Sequence, residues 1–563
     1  MSKGFSFTLN EGLLERYGLI ADLHRGRFFP GRIIWNQAGI ITLVEEFLDV
    51  SQFGDAIDFS KFITPPLVNA HVHIESSMLV PSRFGPPCLA CGVGATVSDP
   101  HEIANVLGVA GIDFMIENAR LTPLRIHFGA PSCVPATNST FETSGAELNA
   151  EAVEKLLQSA DIHYLAEVMN FPGVLADDAQ LLAKIAAAVK VGKRVDGHAP
   201  GLRADAARSY AAHGITTDHE CFTLAEALEK ISFGMKILIR EGSAAKNFEA
   251  LYSIISTHPQ NAMLCSDDLH PDEIITGNID SLCRRALAKG CSLIDVLRAA
   301  SFNPVKHYGL NLGLLQVGDK ADFVCWDNQN LNKVTETVLA GETVWRFGAD
   351  FVGVGSESKP NLFHASPIAK QALKIPASRL NDPVIEVIDQ QIITRSKNIQ
   401  LKIKDGELLP DIESDVVKLV VVNRYDLNAT PAVCFVTGTG IQKGAISSSV
   451  AHDSHNIIAC GADDESIVAV INATIAARGA VGCAVNQRCE LLELPVAGLM
   501  SDKPAQEVGA RYGELTQMVK NECGSKLTAP FMTLSFLSLL VIPELKLSDK
   551  GLFDAQKFEF VTI

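Results

Sequence analysis

The stretch Phe62–Ser77, FITPPLVNAHVHIESS, decides the reading of this chain, because an apolar run ends there in His71 and His73. Residues two apart on a strand point to the same side, so both imidazoles can hold one metal ion. Four later strand-like runs also end in ligand-type side chains: Glu167 in HYLAEVMN, His198 in RVDGHAP, His219 in GITTDHE and Asp267 in AMLCSDD.

Working outward, short apolar runs alternate with helical patterns from about residue 62 to residue 310. The runs are FITPPLVNAHVH, GATVSDP, LRIHFGAPS, IHYLAEVMN, KRVDGHAP, GITTDHE, MKILIREGS and NAMLCSDD, eight in all. Between them lie segments such as AELNAEAVEKLLQSA, DAQLLAKIAAAVK and TLAEALEKI, with apolar residues at i, i+3 and i+4. Strand and helix repeated over roughly 250 residues is the arithmetic of a (β/α)₈ barrel. A doubly wound open sheet is the alternative that the same alternation permits. In a barrel the C-terminal strand ends carry the chemistry, which makes the five strings above neighbours in space.

The barrel is thus expected over 62–310. Strand-like pieces such as RFFPGRIIW and TVLAGETVW suggest that residues 1–61 and 311–350 pair into a small flanking β domain. Residues 351–383, rich in Ser, Pro, Gly and Lys, read as a linker or loosely packed connection. Residues 384–563 form a C-terminal α/β domain, with VVKLVVVNRY, PAVCFVTGTG, HNIIACG and AVGCAV as strands and ESIVAVINATIAARG as a helix.

At 563 residues, 47% hydrophobic and 20% charged, the chain has ordinary globular composition and room for two or three domains. Its formal charge of -17 opposes a phosphate backbone, and no basic stripe interleaved with aromatics is present, so no nucleic-acid partner is expected. MSKGFSFTLN lacks the apolar core of a secretory signal. The greasiest run, Phe531–Ile542, falls short of the ~20 residues that span a bilayer and reads as a buried core element between Pro530 and Pro543. A cytoplasmic protein with no membrane partner is expected, acting as a homodimer or higher homo-oligomer. Thirteen scattered cysteines read as reduced core thiols.

Four imidazoles and two carboxylates make a ligand set without thiolate, suited to Zn²⁺, Fe²⁺ or Mn²⁺. Six ligands are too many for one open tetrahedral ion and fit two ions. His71, His73 and Asp267 would hold one, His198 and His219 the other, with Glu167 as the bridge. Two cations acidify the water between them, which points to hydrolysis. Asp267, preferred over its neighbour Asp268, can take a proton from that water and pass it to a leaving group. Other strand ends offer readers for the edges of an adenine-sized heterocycle: Glu75 beside the first pair, Asp99, His101, Glu102 and Asn105 in SDPHEIANVLG, Ser132, and Arg240 and Glu241 in IREGSAAKN. His101 and Glu102 could equally cap a helix, and Arg240 with Glu241 could be an ion pair. In the third domain, AHDSHNI groups His452, Asp453, His455 and Asn456 in a cluster that could close over the barrel mouth and touch substrate, with His455 as the residue to test, or could equally form a hydrogen-bonded loop.

These strings resemble the metal-dependent amidohydrolases, and within them the bacterial adenine deaminases. HVHIESS, VSDPHEIANVLG, PSCVPAT, EVMNFPGV, DGHAPGL, GITTDHE, REGSAAKN, SDD and NPVKHYGL look like that group's strings in its order, as does GLMSDKP in the third domain. The resemblance implies hydrolysis of adenine to hypoxanthine and ammonia, with a metal-bridged hydroxide attacking C6. It implies metal binding by His71, His73, Glu167, His198 and His219, with Asp267 as the metal-adjacent proton carrier. Two divalent ions, Mn²⁺ or Fe²⁺ with Zn²⁺ as a third option, are the implied cofactors, and a small-molecule purine the substrate. Pro66 and Asn69 depart from the group's usual glycine and acidic residue ahead of the histidine pair.

Three rival readings remain. His73, Glu75, Cys88 and Cys91 satisfy the H-x-E…P-C-x-x-C signature of other zinc deaminases, but the intervening segment is too short for the helix, strand and turns of that fold. Another cyclic amidine or amide, such as an N6-substituted adenine, could be the substrate of the same site. A barrel serving only as a binding scaffold would be expected to lack ligands, and none is missing.

Overall fold

The computed structural model describes residues 13–51, 59–243, 245–349 and 352–561. The N-terminal string MSKGFSFTLN lies outside them. Seven strands form the flanking sheet, in the order Glu342–Arg346, Val334–Leu339, Phe323–Trp326, Phe62–Thr64, Leu14–Asp22, Arg27–Trp35 and Ile41–Glu46. The two chain segments therefore share one small domain. Its core gathers Ile20, Phe29, Ile33, Trp35, Ile63 and Phe323.

One expected strand is divided. Phe62–Thr64 belongs to the flanking sheet, parallel to Leu14–Asp22 and antiparallel to Phe323–Trp326, and the first barrel strand starts only at Leu67. The small domain thus runs past residue 61. Pro65 and Pro66 separate the two pieces, because a residue without an N–H cannot continue a hydrogen-bonded ladder.

The barrel strands are Leu67–Val72, Val93–Ser98, Arg125–Ala130, Ile162–Val168, Arg194–Gly197, Thr217–Asp218, Lys236–Arg240 and Ala262–Cys265. The first five pair in parallel sequence, as do the last three. The Thr216 amide donates to the Val195 carbonyl at 2.9 Å between the fifth and sixth strands, and the Asp267 amide to the His71 carbonyl at 3.0 Å between the last and the first. The sheet therefore curls round on itself. Helices occupy the connections, as the periodicity predicts: Ala150–Leu157, Ala179–Lys190 and Leu224–Ser232 carry N-caps at Asn149, Asp178 and Thr223, each accepting from a first-turn amide.

The third domain contains an eight-stranded mixed sheet centred on Val416–Val422. Alternate residues of that strand enter two cores: Val416, Val420 and Val422 join Ile467, Val470 and Ile471 of helix Asp464–Ala476, while Val417, Leu419 and Val421 join the core shared with the barrel. A period of two buries both faces. The segment before it is not a loose linker. Phe363, Leu373 and Ile375 are buried in the third domain's own core, and Arg83 Nη1 donates to the Val352 and Gly353 carbonyls at 2.8 and 2.9 Å. Its Ser/Pro/Gly composition limits regular structure to two short 3-10 turns, Lys370–Leu373 and Ala377–Arg379, but three buried apolar side chains offset the cost of ordering it. Among the described residues, no helix is long and apolar enough to cross a membrane.

Candidate metal centre and active site

All six expected ligands converge at the C-terminal strand ends, and none is more than 8% exposed. His71 is the next-to-last residue of the first strand and His73 follows its end, with their Nε2 atoms 3.2 Å apart. Asp267 Oδ1 stands 3.5 Å from His71 Nε2 and 3.2 Å from His73 Nε2. Glu167 faces both halves of the cluster: Oε1 is 3.3 Å from His73 Nε2, while Oε2 is 2.8 Å from His198 Nδ1 and 3.2 Å from His219 Nε2. Electron-pair donors from five strand ends thus meet in one buried volume, and several trios lie close enough to share a cation. Imidazole and carboxylate without thiolate is a donor set that fits first-row divalent ions.

Asp267 reaches this position from a left-handed backbone, φ 57°, one of the few such conformations an aspartate accepts readily. The turn sends its side chain inward, whereas Asp268 accepts a hydrogen bond from the Ser76 hydroxyl.

The electrostatics follow from burial and neighbours. Burial opposes the charge on Asp267, but the Arg240 guanidinium and the His71 and His73 rings hold its carboxyl well below the usual range. For Glu167 burial is likewise outweighed by His198 and His219. Burial, reinforced by His219, lowers His71 to about 4 and keeps it a neutral, electron-donating imidazole.

The substrate-contact residues divide. His101, Glu102 and Arg240 border a cavity that also exposes His73, Glu167, His198, His219, Asp267 and Asp268. Glu75, Asn105, Ser132, Glu241 and His455 do not border it. Glu75 accepts from the Ile103 amide at 3.2 Å, and Asn105 Nδ2 donates to the His101 carbonyl at 3.0 Å, so both tie down the segment that carries His101 and Glu102. Ser132 Oγ donates to the Glu167 carbonyl at 2.5 Å and fixes that strand end. Glu241 turns outward to Arg285 at 2.5 Å, because alternation puts it opposite Arg240. His455 is fully buried against Glu102. Cys88 lies in the helix Pro81–Ala90, where its thiol accepts from Asn278 at 3.7 Å, and neither it nor Cys91 borders the cavity.

Sequence reading missed two groups, Glu220 and an apolar wall. Glu220 stands 3.5 Å from His198 Nδ1 and 3.4 Å from His219 Nε2, and its place directly after His219 in the string DHE was the available signal. Of the AHDSHNI cluster expected at the barrel mouth, His452 and Asp453 border the cavity and His455 does not. Ile392, Phe536, Leu539, Val541 and Ile542 close the cavity with an apolar wall, so the greasy run Phe531–Ile542 is both buried and part of the site. The His452 ring stacks on Phe536 at 4.6 Å and 9°.

Comparison with known proteins agrees with this geometry. Residues 62–344 match the amidohydrolase family, and residues 391–559 match the adenine deaminase C-terminal domain. An adenine deaminase of Sulfurovum sp. (strain NBC37-1) is 51% identical over 97% of this chain and 99% of its own length. One from Salinibacter ruber is 48% identical over 97% and 98%, and one from Methanosarcina barkeri 47% over 97% and 98%. The chain belongs to the amidohydrolase family and, within it, to the adenine deaminases.

Proposed function

We infer that this chain deaminates adenine hydrolytically, giving hypoxanthine and ammonia. The observation that carries the reading is the buried cluster of four imidazoles and two carboxylates facing a cavity with an apolar wall, in a chain about half identical to adenine deaminases along nearly its whole length. A planar heteroaromatic base suits such a cavity, with the apolar wall against its faces and the polar strand ends against its edges.

His71, His73 and Asp267 would hold one divalent ion and His198 and His219 a second, with Glu167 shared between them. Mn²⁺ or Fe²⁺ is the expected occupant, and Zn²⁺ fits the same donors. Bound there, the ions supply a water that is nucleophilic at neutral pH.

The chain's own groups then handle the protons. Arg240 Nη1 engages Asp267 Oδ2 at 2.5 Å, which leaves Oδ1 facing the cluster. Asp267 accepts a proton from the attacking water and delivers it to the departing amine nitrogen. The C6–O bond forms, the C6–N6 bond breaks, and the water's other proton ends on N1. His101 and Glu102 line the side of the cavity towards the third domain and orient the ring.

The test is to purify the chain with Mn²⁺ supplied and iron withheld, count ions, and follow adenine loss in the ultraviolet together with ammonia release. Two ions at the cluster and turnover of adenine above N6-methyladenine are expected. Preference for the N6-substituted base would replace this substrate assignment.

A further inference from the structure

We propose that Lys230 is a positioning residue for the second ion: it clasps the two strand ends that carry His198 and His219 and thereby sets how tightly that pair binds metal. The proposal rests on the two-ion reading above. His198 directly follows the fifth barrel strand and His219 the sixth, and these two strands belong to separate hydrogen-bonded sheets. The backbone bond between them, from the Thr216 amide to the Val195 carbonyl, lies three residues ahead of each histidine. Among the described residues, no ladder reaches the ligands.

Lys230, on the helix Leu224–Ser232, spans this seam. Its ammonium donates to the Ala199 carbonyl at 2.6 Å on one side and to Asp218 Oδ2 at 2.7 Å on the other, with Glu226 Oε1 at 2.8 Å as the third acceptor. Three acceptors use all three N–H bonds of a lysine. The Lys230 and Asp218 side chains are fully buried and Glu226 nearly so, which keeps these charge-assisted bonds out of water. The clasp extends through its acceptors. Asp218 Oδ1 accepts from the Glu220 amide at 2.6 Å, while Glu226 accepts from the Gly201 amide at 3.0 Å and the Phe222 amide at 3.1 Å. Both ligand-bearing turns are thus held to one turn of the same helix.

The first ion's ligands do not depend on this helix. The Asp267 amide donates directly to the His71 carbonyl at 3.0 Å, and Asn69 pairs with Ser266 through two bonds, Nδ2 to Oγ at 2.6 Å and Ser266 amide to Oδ1 at 3.0 Å. Loss of Lys230 should therefore loosen one ion and spare the other.

Apo-protein is titrated with Mn²⁺, and the free ion is followed by electron paramagnetic resonance, which gives the two successive affinities of the native chain. Lys230→Met should weaken one of them by about 10–100-fold and leave the other nearly unchanged. Lys418→Met is the control: Lys418 is likewise buried, donating to the Leu373 carbonyl at 2.9 Å and to Asp464 Oδ1 at 2.7 Å in the third domain, and its loss should lower stability without changing either affinity. Folding is checked by circular dichroism and gel filtration. If Lys230→Met fails to fold, Glu226→Gln takes its place and should weaken the same step. Both native affinities in the folded variant, or an equal loss in both, overturn the proposal. A native chain that takes up one ion only overturns the two-ion reading and this proposal together, whereas two ions without adenine turnover overturn the substrate assignment alone.

Discussion

The Arg240 guanidinium joins Glu220 to Asp267: Nη2 lies 2.7 Å from Glu220 Oε2, and Nη1 2.5 Å from Asp267 Oδ2. One seventh-strand cation thereby positions the proton carrier and the carboxylate that backs His198 and His219. Burial alone would favour protonated carboxyls, but the arginine reverses this and takes Glu220 down to about 2.

Arg240→Met should therefore lower kcat/KM for adenine by about 10–100-fold while ion content holds, as expected for a residue acting through ligands. It also leaves two buried carboxylates unpaired, which costs about 3–5 kcal/mol and lowers the thermal midpoint. Full turnover in this variant would remove Arg240 from the machinery.

Glu167→Gln keeps the side-chain volume but removes the charge that faces both halves of the cluster. Loss of the cluster's ions and at least a thousandfold drop in ammonia release are expected. Metal analysis at saturating Mn²⁺ decides, and a variant that keeps all its ions would show that Glu167 does not bridge.

Replacing Cys88 and Cys91 together with serine should leave both ion content and turnover unchanged. Cys88 is buried in a helix beside Asn278 and Cys91 caps the end of that helix, and desolvation pushes both thiols well above the usual range, which opposes thiolate ligation. Loss of metal would revive the cysteine signature.

Ile542→Ala opens the apolar wall that the third domain sets over the cavity. KM for adenine should rise by about tenfold, with a smaller change in kcat, because the lost contact is made equally in ground and transition states. Steady-state kinetics separates the two, and a fall confined to kcat would argue against the wall as a binding surface.

Lys546 is buried, with its ammonium donating among the described residues to the Ile392 and Phe536 carbonyls at 2.7 and 2.9 Å, and burial lowers it to about 7. Between pH 7 and about 10 the unfolded chain holds that proton and the folded chain releases it, so this residue makes stability rise with pH over that window. Lys546→Met removes the contribution. The native-minus-variant difference in urea midpoint should therefore grow from pH 7 to pH 9, and a flat difference would contradict the lowered value.

The barrel was legible because its signals are local. Eight apolar runs, the helical periods between them and a ligand-type residue ending five of them need no long-range information, and His71 with His73 follows from strand alternation alone. The division at Pro65-Pro66 was equally local but was outweighed by the continuous greasiness of Phe62–Val68. Glu75, Asn105 and Ser132 lie next to the right strand ends, yet their side chains secure the backbone there. Their direction depends on partners that sequence order does not supply.

The chain by itself thus determined the barrel, the six converging side chains and the α/β character of the third domain, since each rests on periodicity or on composition within one element. Only the tertiary structure decided that Phe536 and Ile542 wall the cavity, that Asp453 meets His101, and that Glu220 and Asp267 share Arg240. Those pairings join residues from separate strands and domains, and their geometry is set by how whole elements pack, which no local pattern encodes.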